Sequence, residues 1–285
     1  MKKWIACLLS LLMALSLAAC GASGGNTTAG AGQNRLEKIK AQGYIEVATE
    51  PYFAPYEFID SSKSGQEQYV GVDIELAKAI AQDLGVEVRI VPLEFSAVLA
   101  GIASGKYDLA ISAIAYSPLR AETIGMSKGY SFVAGGGYGL LVRTADLDKY
   151  TGMDSLSNAV VVTQSGSVQE TLVNDQVPKY KEFKRVSSMT DGMLMVGENK
   201  ADVCVCEISN GQLYADANPG YSLSIVPNLL FTVDESMEGT RVAMPKGETE
   251  LTDAVNDAID RLTAAGQIDQ WYTQYAAYAK TMGIQ

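Results

Sequence analysis

Not one histidine occurs in the chain. That absence removes Ser-His-Asp and Cys-His catalysis, and any histidine-ligated metal centre, in a single step. Basic residues are scarce as well: 22 Lys and Arg stand against 33 Asp and Glu, a formal charge of −11. With no Lys/Arg cluster, a chain this acidic does not read as nucleic-acid-binding. Nor is it drawn electrostatically to an anionic membrane surface. Cysteine is limited to 4 residues, of which Cys204 and Cys206 lie in the apolar run Val203–Cys206. Their i, i+2 spacing puts them on one face of a strand. Two thiols are too few for a zinc site, and a disulfide across this spacing would strain the strand. Buried free thiols are expected there, with no metal and no cofactor.

What is present begins with Lys2 and Lys3, an apolar run from Trp4 to Leu17, and then Ala18-Ala19-Cys20. The run is shorter than the ~20 residues that cross a bilayer, and small residues follow it. Residues 1–19 therefore read as a secretory signal peptide. Leu17-Ala18-Ala19-Cys20 resembles a bacterial lipobox, which implies cleavage before Cys20 and a lipid on its sulfur. Residues 20–34, rich in Gly, Ala, Ser and Thr, read as the lipidated cysteine and a flexible tether reaching about 20 Å. One acyl chain holds weakly, so stable retention implies more than one.

The remaining ~250 residues exceed a typical single core, and two lobes are expected. Ile45–Thr49 reads as a strand, and Asp73 as the cap of a helix carrying Ile74, Ala77, Ile80, Ala81 and Leu84 at helical spacing, with Gly85 as its stop. Val86, Val88 and Ile90 alternate as in a strand; Val98, Leu99 and Ile102 mark a second helix ending at Gly105. Asp108–Ser112 is the next strand, and β-α-β-α-β implies a parallel sheet covered by helices. The pattern breaks at the glycine-rich Val133–Gly139, then resumes with strands at Leu140–Val142, Ala159–Thr163 and Ala201–Glu207 and helices at Ser167–Val177 and Thr190–Asn199. RVAMP after Thr240 reads as a strand crossing back. The helix Glu248–Ala265 follows, with Leu251, Ala254, Val255, Ala258, Ile259 and Leu262 on one stripe and Gly266 as its stop. The fold expected is α/β: two lobes, each a mostly parallel sheet flanked by helices, joined by two hinge crossings. Lobe 1 takes 35–134 plus 240–285 and lobe 2 takes 135–239, with a cleft at the strand ends.

The segment Asp108–Tyr130 is the most informative stretch. An apolar run, Leu109 to Ile114, leads to Ser117-Pro118, a helix-start signal, and Arg120 falls in the first helical turn. A guanidinium just beyond the carboxyl end of a buried strand sits where open α/β sheets bind ligands, and its fork matches a carboxylate. A surface arginine in a solvated ion pair is the other reading of the same residue.

This segment resembles the strand-turn-Arg signature of extracytoplasmic amino-acid-binding proteins of ABC importers, the polar-amino-acid class of solute-binding protein family 3. Further matches keep the family's order: Val47-Ala48-Thr49 with Phe53-Ala54-Pro55-Tyr56, Gly71 to Ala77, Phe95, Ser104 to Asp108, Gly166-Ser167 and Ala201-Asp202. The resemblance covers roughly Arg35 to the C-terminus and implies a two-lobe, hinged clamp of the periplasmic-binding-protein type, in its lipoprotein form.

On the resemblance, an amino acid's three chemistries each find a partner. Arg120 would take the carboxylate. Ser167-x-x-Glu170 is a capping-box match, and the N–H groups of Val168 and Gln169 at that helix start would help from lobe 2. Glu207 occupies the position of the family's acid for the ammonium, where the shorter Asp is more usual. Phe53 and Phe95 match the aromatics that sandwich the ligand; a core role is the alternative for Phe95. Glu50, read as an exposed carboxylate, matches a position that can hold a cationic side chain, which favours polar or cationic ligands such as arginine or lysine. Where relatives carry hydroxyls, this chain keeps Ser112 but has Ala113 and Ala115, leaving backbone groups to serve, with Tyr116 as a possible substitute donor. The partners implied are a free amino acid, ABC permease and ATPase subunits, and the outer face of the bacterial cell membrane through the lipid; no nucleic acid is involved, and a monomer is expected. The reading is capture and delivery without chemistry. Its competitors are a dehydratase on the same clamp, with Glu50 or Glu207 as general acid, and a sensory or adhesive surface lipoprotein.

Overall fold

The computed structural model describes residues 34–131, 137–234 and 239–282. Cys20, the signal-peptide assignment and the tether up to residue 33 lie outside the described residues, as does most of the glycine-rich run 133–139. Asn34, expected to end the tether, instead caps the first helix: its side chain accepts from the Glu37 N–H at 2.9 Å.

In chain order the elements are α1 (Arg35–Gln42), β1 (Tyr44–Thr49), β2 (Tyr52–Phe53), β3 (Glu57–Ile59), β4 (Tyr69–Val70), α2 (Val72–Leu84), β5 (Glu87–Pro92), α3 (Phe95–Ala103), β6 (Leu109–Ala110), α4 (Pro118–Thr123) and β7 (Ile124–Ser131). Then come β8 (Tyr138–Arg143), β9 (Val160–Gln164), α5 (Val168–Gln176), β10 (Glu182–Val186), α6 (Met189–Gly197), β11 (Val203–Glu207), α7 (Ile208–Ala217) and β12 (Leu223–Ile225). The chain ends with β13 (Thr240–Pro245), α8 (Thr249–Ala264) and α9 (Gln267–Met282).

The strands build two five-stranded sheets of one plan, ordered β5-β1-β6-β13-β7 and β10-β9-β11-β8-β12. In each, three neighbouring strands are parallel and the last two pair antiparallel. Helical crossovers enforce the parallel part. The chain passes from the first sheet to the second after Ser131 and returns before Thr240. A two-lobe α/β clamp results. A small third sheet, β2-β3-β4, sits beside the first lobe.

The amphipathic stripes fall where periodicity predicts. In α8, Leu251, Val255, Ala258, Ile259 and Leu262 are buried, and in α2, Ile74, Leu76, Ala77, Ile80 and Ala81. Both pack into one core with Ile45, Val47, Leu109 and Met244. Burying each large aliphatic side chain contributes about 1.5–3 kcal/mol. Val203 and Val205 face one cluster of the second sheet; Cys204 and Cys206 face the other, as buried free thiols. Gly211 of α7 packs there: a β-carbon on it would come within 2.6 Å of the Cys206 sulfur.

Two local expectations are corrected. The strand expected over Asp108–Ser112 pairs only at Leu109–Ala110, because beyond Ala110 the chain turns into the loop that reaches Arg120. Asp73 does not cap α2; that place belongs to Gly71, at φ 130°, where a β-carbon would lie 2.1 Å from the Tyr56 carbonyl oxygen. Asp73 is carried inside the helix and buried. Among the described residues, no helix is long and apolar enough to cross a membrane.

Candidate functional site

The ends of β1 and β6 lie side by side and deliver Glu50 and the Ser112–Ala115 loop to one place. Ser112 links them: its Oγ accepts from the Glu50 N–H at 3.0 Å and donates to Glu57 Oε1 at 3.0 Å. Ala113 is held at φ 44°, a left-handed conformation unusual for alanine. Its N–H donates to Asp73 Oδ2 at 2.7 Å, while Asp73 Oδ1 accepts from the Tyr130 hydroxyl at 2.7 Å. The Ala113 N–H, a candidate backbone donor from sequence, is therefore engaged by Asp73. Glu57 and Asp73 are fully buried and near enough for each to feel the other's charge. Burial pushes both carboxyls up, Glu57 furthest because the Asp73 charge adds to it.

Arg120 stands at the junction of the lobes. Ser117 Oγ caps α4 by accepting the Arg120 N–H at 3.2 Å, and Pro118 opens the helix. The guanidinium donates to the Ala115 carbonyl at 2.7 Å and, across the cleft, to the Gly166 carbonyl at 2.8 Å. It lies over the Phe95 ring, 5.5 Å from the centroid. It forms no ion pair among the described residues. Burial lowers its pKa to about 10, so it remains a cation at neutral pH.

Opposite Arg120, Ser167 caps α5, accepting from the Glu170 N–H at 3.2 Å and donating to the Gln164 carbonyl at 2.7 Å. Glu170 reaches back to the Gly166 N–H at 2.7 Å, a capping box shifted by one residue. Val168 and Gln169 at this helix start are buried, Val168 in the core cluster that also holds Ala115.

Glu207 ends β11 and caps α7, accepting from the Asn210 N–H at 2.8 Å and the Ser209 hydroxyl at 3.0 Å. Burial raises its pKa against those hydrogen bonds. Directly opposite in the β8–β11 pair is Tyr138, on the same face of the sheet. Its hydroxyl, pushed up to about 12 by burial, is near enough to Glu207 and Arg120 to feel both charges. Phe53 lies in β2 rather than in a loop, packed against clusters of both lobes and stacked on Tyr56 at 6.0 Å. Tyr56 in turn meets Tyr272 of α9 edge-on at 5.7 Å. Phe95 begins α3 and is 7% exposed, part of a core cluster as well as the platform under Arg120. Tyr116 is engaged elsewhere, with the Arg241 guanidinium 5.1 Å above its ring.

Glu50 corrects the reading most sharply. Read as exposed, its carboxyl is 1% exposed, because β6 and the second lobe cover it. Its pKa is pushed up to about 8 by burial, opposed by a hydrogen bond from Gln164 and reinforced by the charge of Asp191. Its Oε1 finds no partner. The lobes also meet where Thr190 Oγ1 donates to the Tyr52 carbonyl and Asn210 Nδ2 to the Ala54 carbonyl, both at 2.8 Å. The structure thus brings Arg120, Phe95, Ala115, Ser167 and Val168 together at one end, and Glu50 and Ser112 at another, with Glu207 and Tyr138 on the second sheet. Tyr138, Gln164, Asp191 and Tyr272 were not anticipated. Only Tyr138 had a usable signal: it opens a strand directly after the glycine-rich crossing.

The profile described as bacterial extracellular solute-binding proteins, family 3, matches residues 45–278. The arginine-binding extracellular protein ArtP of Bacillus subtilis (strain 168) is 25% identical over 281 residues, covering 96% of this chain and 99% of its own. A crystal structure of an amino acid ABC transporter substrate-binding protein, AbpA from Streptococcus pneumoniae Canada MDR_19A, bound to L-arginine, superposes with a TM-score of 0.77 at 32% identity, over 87% of this chain and 99% of that one. The ancestral amino acid-binding protein AncCDT-1, a precursor of cyclohexadienyl dehydratase, superposes at 0.72 with 25% identity, over 85% of this chain and 99% of that one.

Proposed function

The chain belongs to the bacterial extracellular solute-binding proteins, family 3, and from that premise we propose that it captures a free amino acid between its lobes and hands it to an ABC permease. One observation carries the reading: a half-buried guanidinium, Arg120, spans both lobes through carbonyl oxygens alone and has no carboxylate partner among the described residues. A partly desolvated cation furnished in this way is suited to an incoming carboxylate, since an unpaired charge is costly away from water.

In this reading Arg120 takes the ligand carboxylate together with the α5 N-terminus at Ser167, Val168 and Gln169. Glu207 takes the ammonium. Ser112, Ala113 and Ala115 line the floor, Phe53 and Phe95 flank the side chain, and Glu50 favours one that is polar or cationic. The ligand then holds together lobe 1 (35–134 plus 240–285) and lobe 2 (135–239), and the closed form is what the permease meets. Residues 1–19 act as a signal peptide, and a lipid on Cys20 keeps the domain at the outer face of the membrane. ATPase subunits complete the importer; the chain itself acts as a monomer and does no chemistry.

A thermal-shift panel of the twenty amino acids on the purified protein tests the reading. Ligand at ~100 times its Kd adds about 2.7 kcal/mol, a shift of about 5–10 °C for a domain of this size. The expected result is a shift with one chemical group of amino acids that is lost in Arg120→Ala. A flat panel on protein refolded free of ligand would contradict it. The dehydratase reading has one observation in its favour, a Glu50 carboxyl that burial keeps protonated as a general acid requires. Mass spectrometry of the bound amino acid after prolonged incubation separates the two: recovery unchanged supports capture.

A further inference from the structure

Two chain crossings join the lobes, and the loop that aims Arg120 runs beside both. The Ile114 carbonyl accepts from the Arg241 N–H at 2.8 Å, and Ala115 forms an antiparallel bridge with Thr240. Thr240 and Arg241 open β13, where the chain returns to lobe 1. The Ala115 carbonyl then holds the Arg120 guanidinium at 2.7 Å. Upstream in the same loop Ala113 is kept at φ 44°, a conformation that an L side chain disfavours. Asp73 keeps it there. Its Oδ2 accepts from the Ala113 N–H and its Oδ1 from the Tyr130 hydroxyl, both at 2.7 Å. Tyr130 lies near the end of β7, where the chain leaves for lobe 2. Asp73 is itself fixed from behind: it stands in the first turn of α2, fully buried, with its N–H donating to the Tyr56 carbonyl at 2.9 Å. One carboxyl thus ties the outgoing crossing, and through Ala113 and Ile114 the returning one, to the loop in front of Arg120.

We propose that Asp73 is a positioning residue for ligand capture: by holding Ala113 in its left-handed turn it presents the Ala115 carbonyl that orients the Arg120 guanidinium, without touching the ligand. This rests on the amino-acid reading of the cleft. An aspartate that only satisfied a buried amide would, on removal, cost stability and weaken every ligand alike. What Asp73 controls is narrower. Ser112 is held independently, by the Glu50 N–H and Glu57 Oε1, each at 3.0 Å. Releasing the Ala113 N–H therefore frees the chain from Ala113 onward, and Arg120 is the charged group at the end of that stretch. The loss falls on the part of the ligand that Arg120 holds, its carboxylate.

The probes are L-arginine and agmatine, the same molecule without the carboxylate, or the corresponding pair if the panel selects another amino acid. Titration calorimetry on the intact protein gives the ratio of their affinities. In Asp73→Ala that ratio should shrink about tenfold, because arginine binds more weakly while agmatine changes little. Asp73→Asn should keep the ratio within about twofold: the amide oxygen still accepts from Ala113, and the amide N–H meets the Tyr130 hydroxyl, which can accept. Ala113→Gly added to Asp73→Ala should recover most of the ratio, because glycine adopts a positive φ without an anchor. Ligand-free melting temperatures verify folding, and Asp73→Ser, whose hydroxyl is too short to reach Ala113, replaces Asp73→Ala if the latter does not fold. Equal losses for arginine and agmatine would overturn the inference and leave amino-acid capture standing. So would an Asp73→Asn loss as large as that of Asp73→Ala. Equal affinities for the two probes in the unaltered protein would remove the carboxylate from Arg120 and overturn the inference too. Failure of all twenty amino acids to bind overturns capture and the inference with it.

Discussion

Ionisable groups are drawn out of water at two places in this molecule, and the two are furnished in opposite ways. Arg120 keeps its charge, because carbonyl oxygens of both lobes and the Phe95 ring replace the water it gave up. Glu50, Glu57 and Asp73 have no ion-pair partner among the described residues, and hydrogen bonds from Ser112, Gln164, Tyr130 and a backbone amide serve them. Their carboxyls are all pushed upward by burial. The cation end is ready for an anion at any physiological pH; at the acid end Glu50, pushed up to about 8, keeps its proton at neutral pH. That asymmetry matches an amino acid lying with its carboxylate toward Arg120 and its side chain toward Glu50.

Removing the cation breaks the comparison most severely. Arg120→Ala should weaken amino-acid binding by at least about 100-fold, since it strips a charged partner from the ligand carboxylate. Calorimetric titration of the variant measures this directly.

Next in size is the response of the acid end to pH. The folded protein keeps Glu50 protonated to about 8, whereas the ordinary value is 4.5. Its contribution to ligand-free stability is therefore full below 4.5 and is lost as pH rises through 8. Glu57 and Asp73 act in the same direction. Urea unfolding should show stability falling from pH 5 to pH 9. Glu57→Gln, which keeps a donor toward Asp73 but cannot ionise, should flatten that fall and be the more stable protein at pH 9, by about 1–3 kcal/mol. A parallel decline in both proteins would remove Glu57 from the account.

A sharper version concerns Glu50 alone. Glu57 and Asp191 are the carboxyls that face it, and Gln164 and Ser112 are neutral. At pH 7 a ligand cation beside Glu50 should ionise it and release close to one proton, read from calorimetry in buffers of differing ionisation enthalpy. Glu50→Gln should release none. The smallest effect belongs to the α5 cap: Ser167→Ala should cost about 1 kcal/mol of stability in urea unfolding.

The same asymmetry separates what could be read from the sequence from what could not. Arg120 was legible because its signals are local: an apolar strand, then Ser117 and Pro118 at a helix start. The α8 stripe and the Gly85 stop were legible for the same reason. The acid end was not. Asp73 looks like a cap until Gly71 takes the φ 130° position under the Tyr56 carbonyl. Glu50 looks exposed until Ser112, Gln164 and Asp191, from 62 residues away upward, close over it. Strand β10, with Phe183 and Val186 among charged residues at a sheet edge, has too weak an alternation to stand out. Helix α9 hides its buried face among tyrosines that carry hydrogen bonds to Glu75 and Asp60. Burial of a charge is a property of distant partners, and the sequence shows those only one at a time.

The most direct test of the account is calorimetric titration with the amino acid that gives the largest thermal shift, beside the amine that differs from it only by loss of the carboxylate. The account predicts that the amine binds at least about 100-fold more weakly, and that Arg120→Ala abolishes the difference between the two. An amine that binds as tightly as its parent amino acid would show that Arg120 does not hold the ligand carboxylate, and the orientation proposed for the cleft would be wrong.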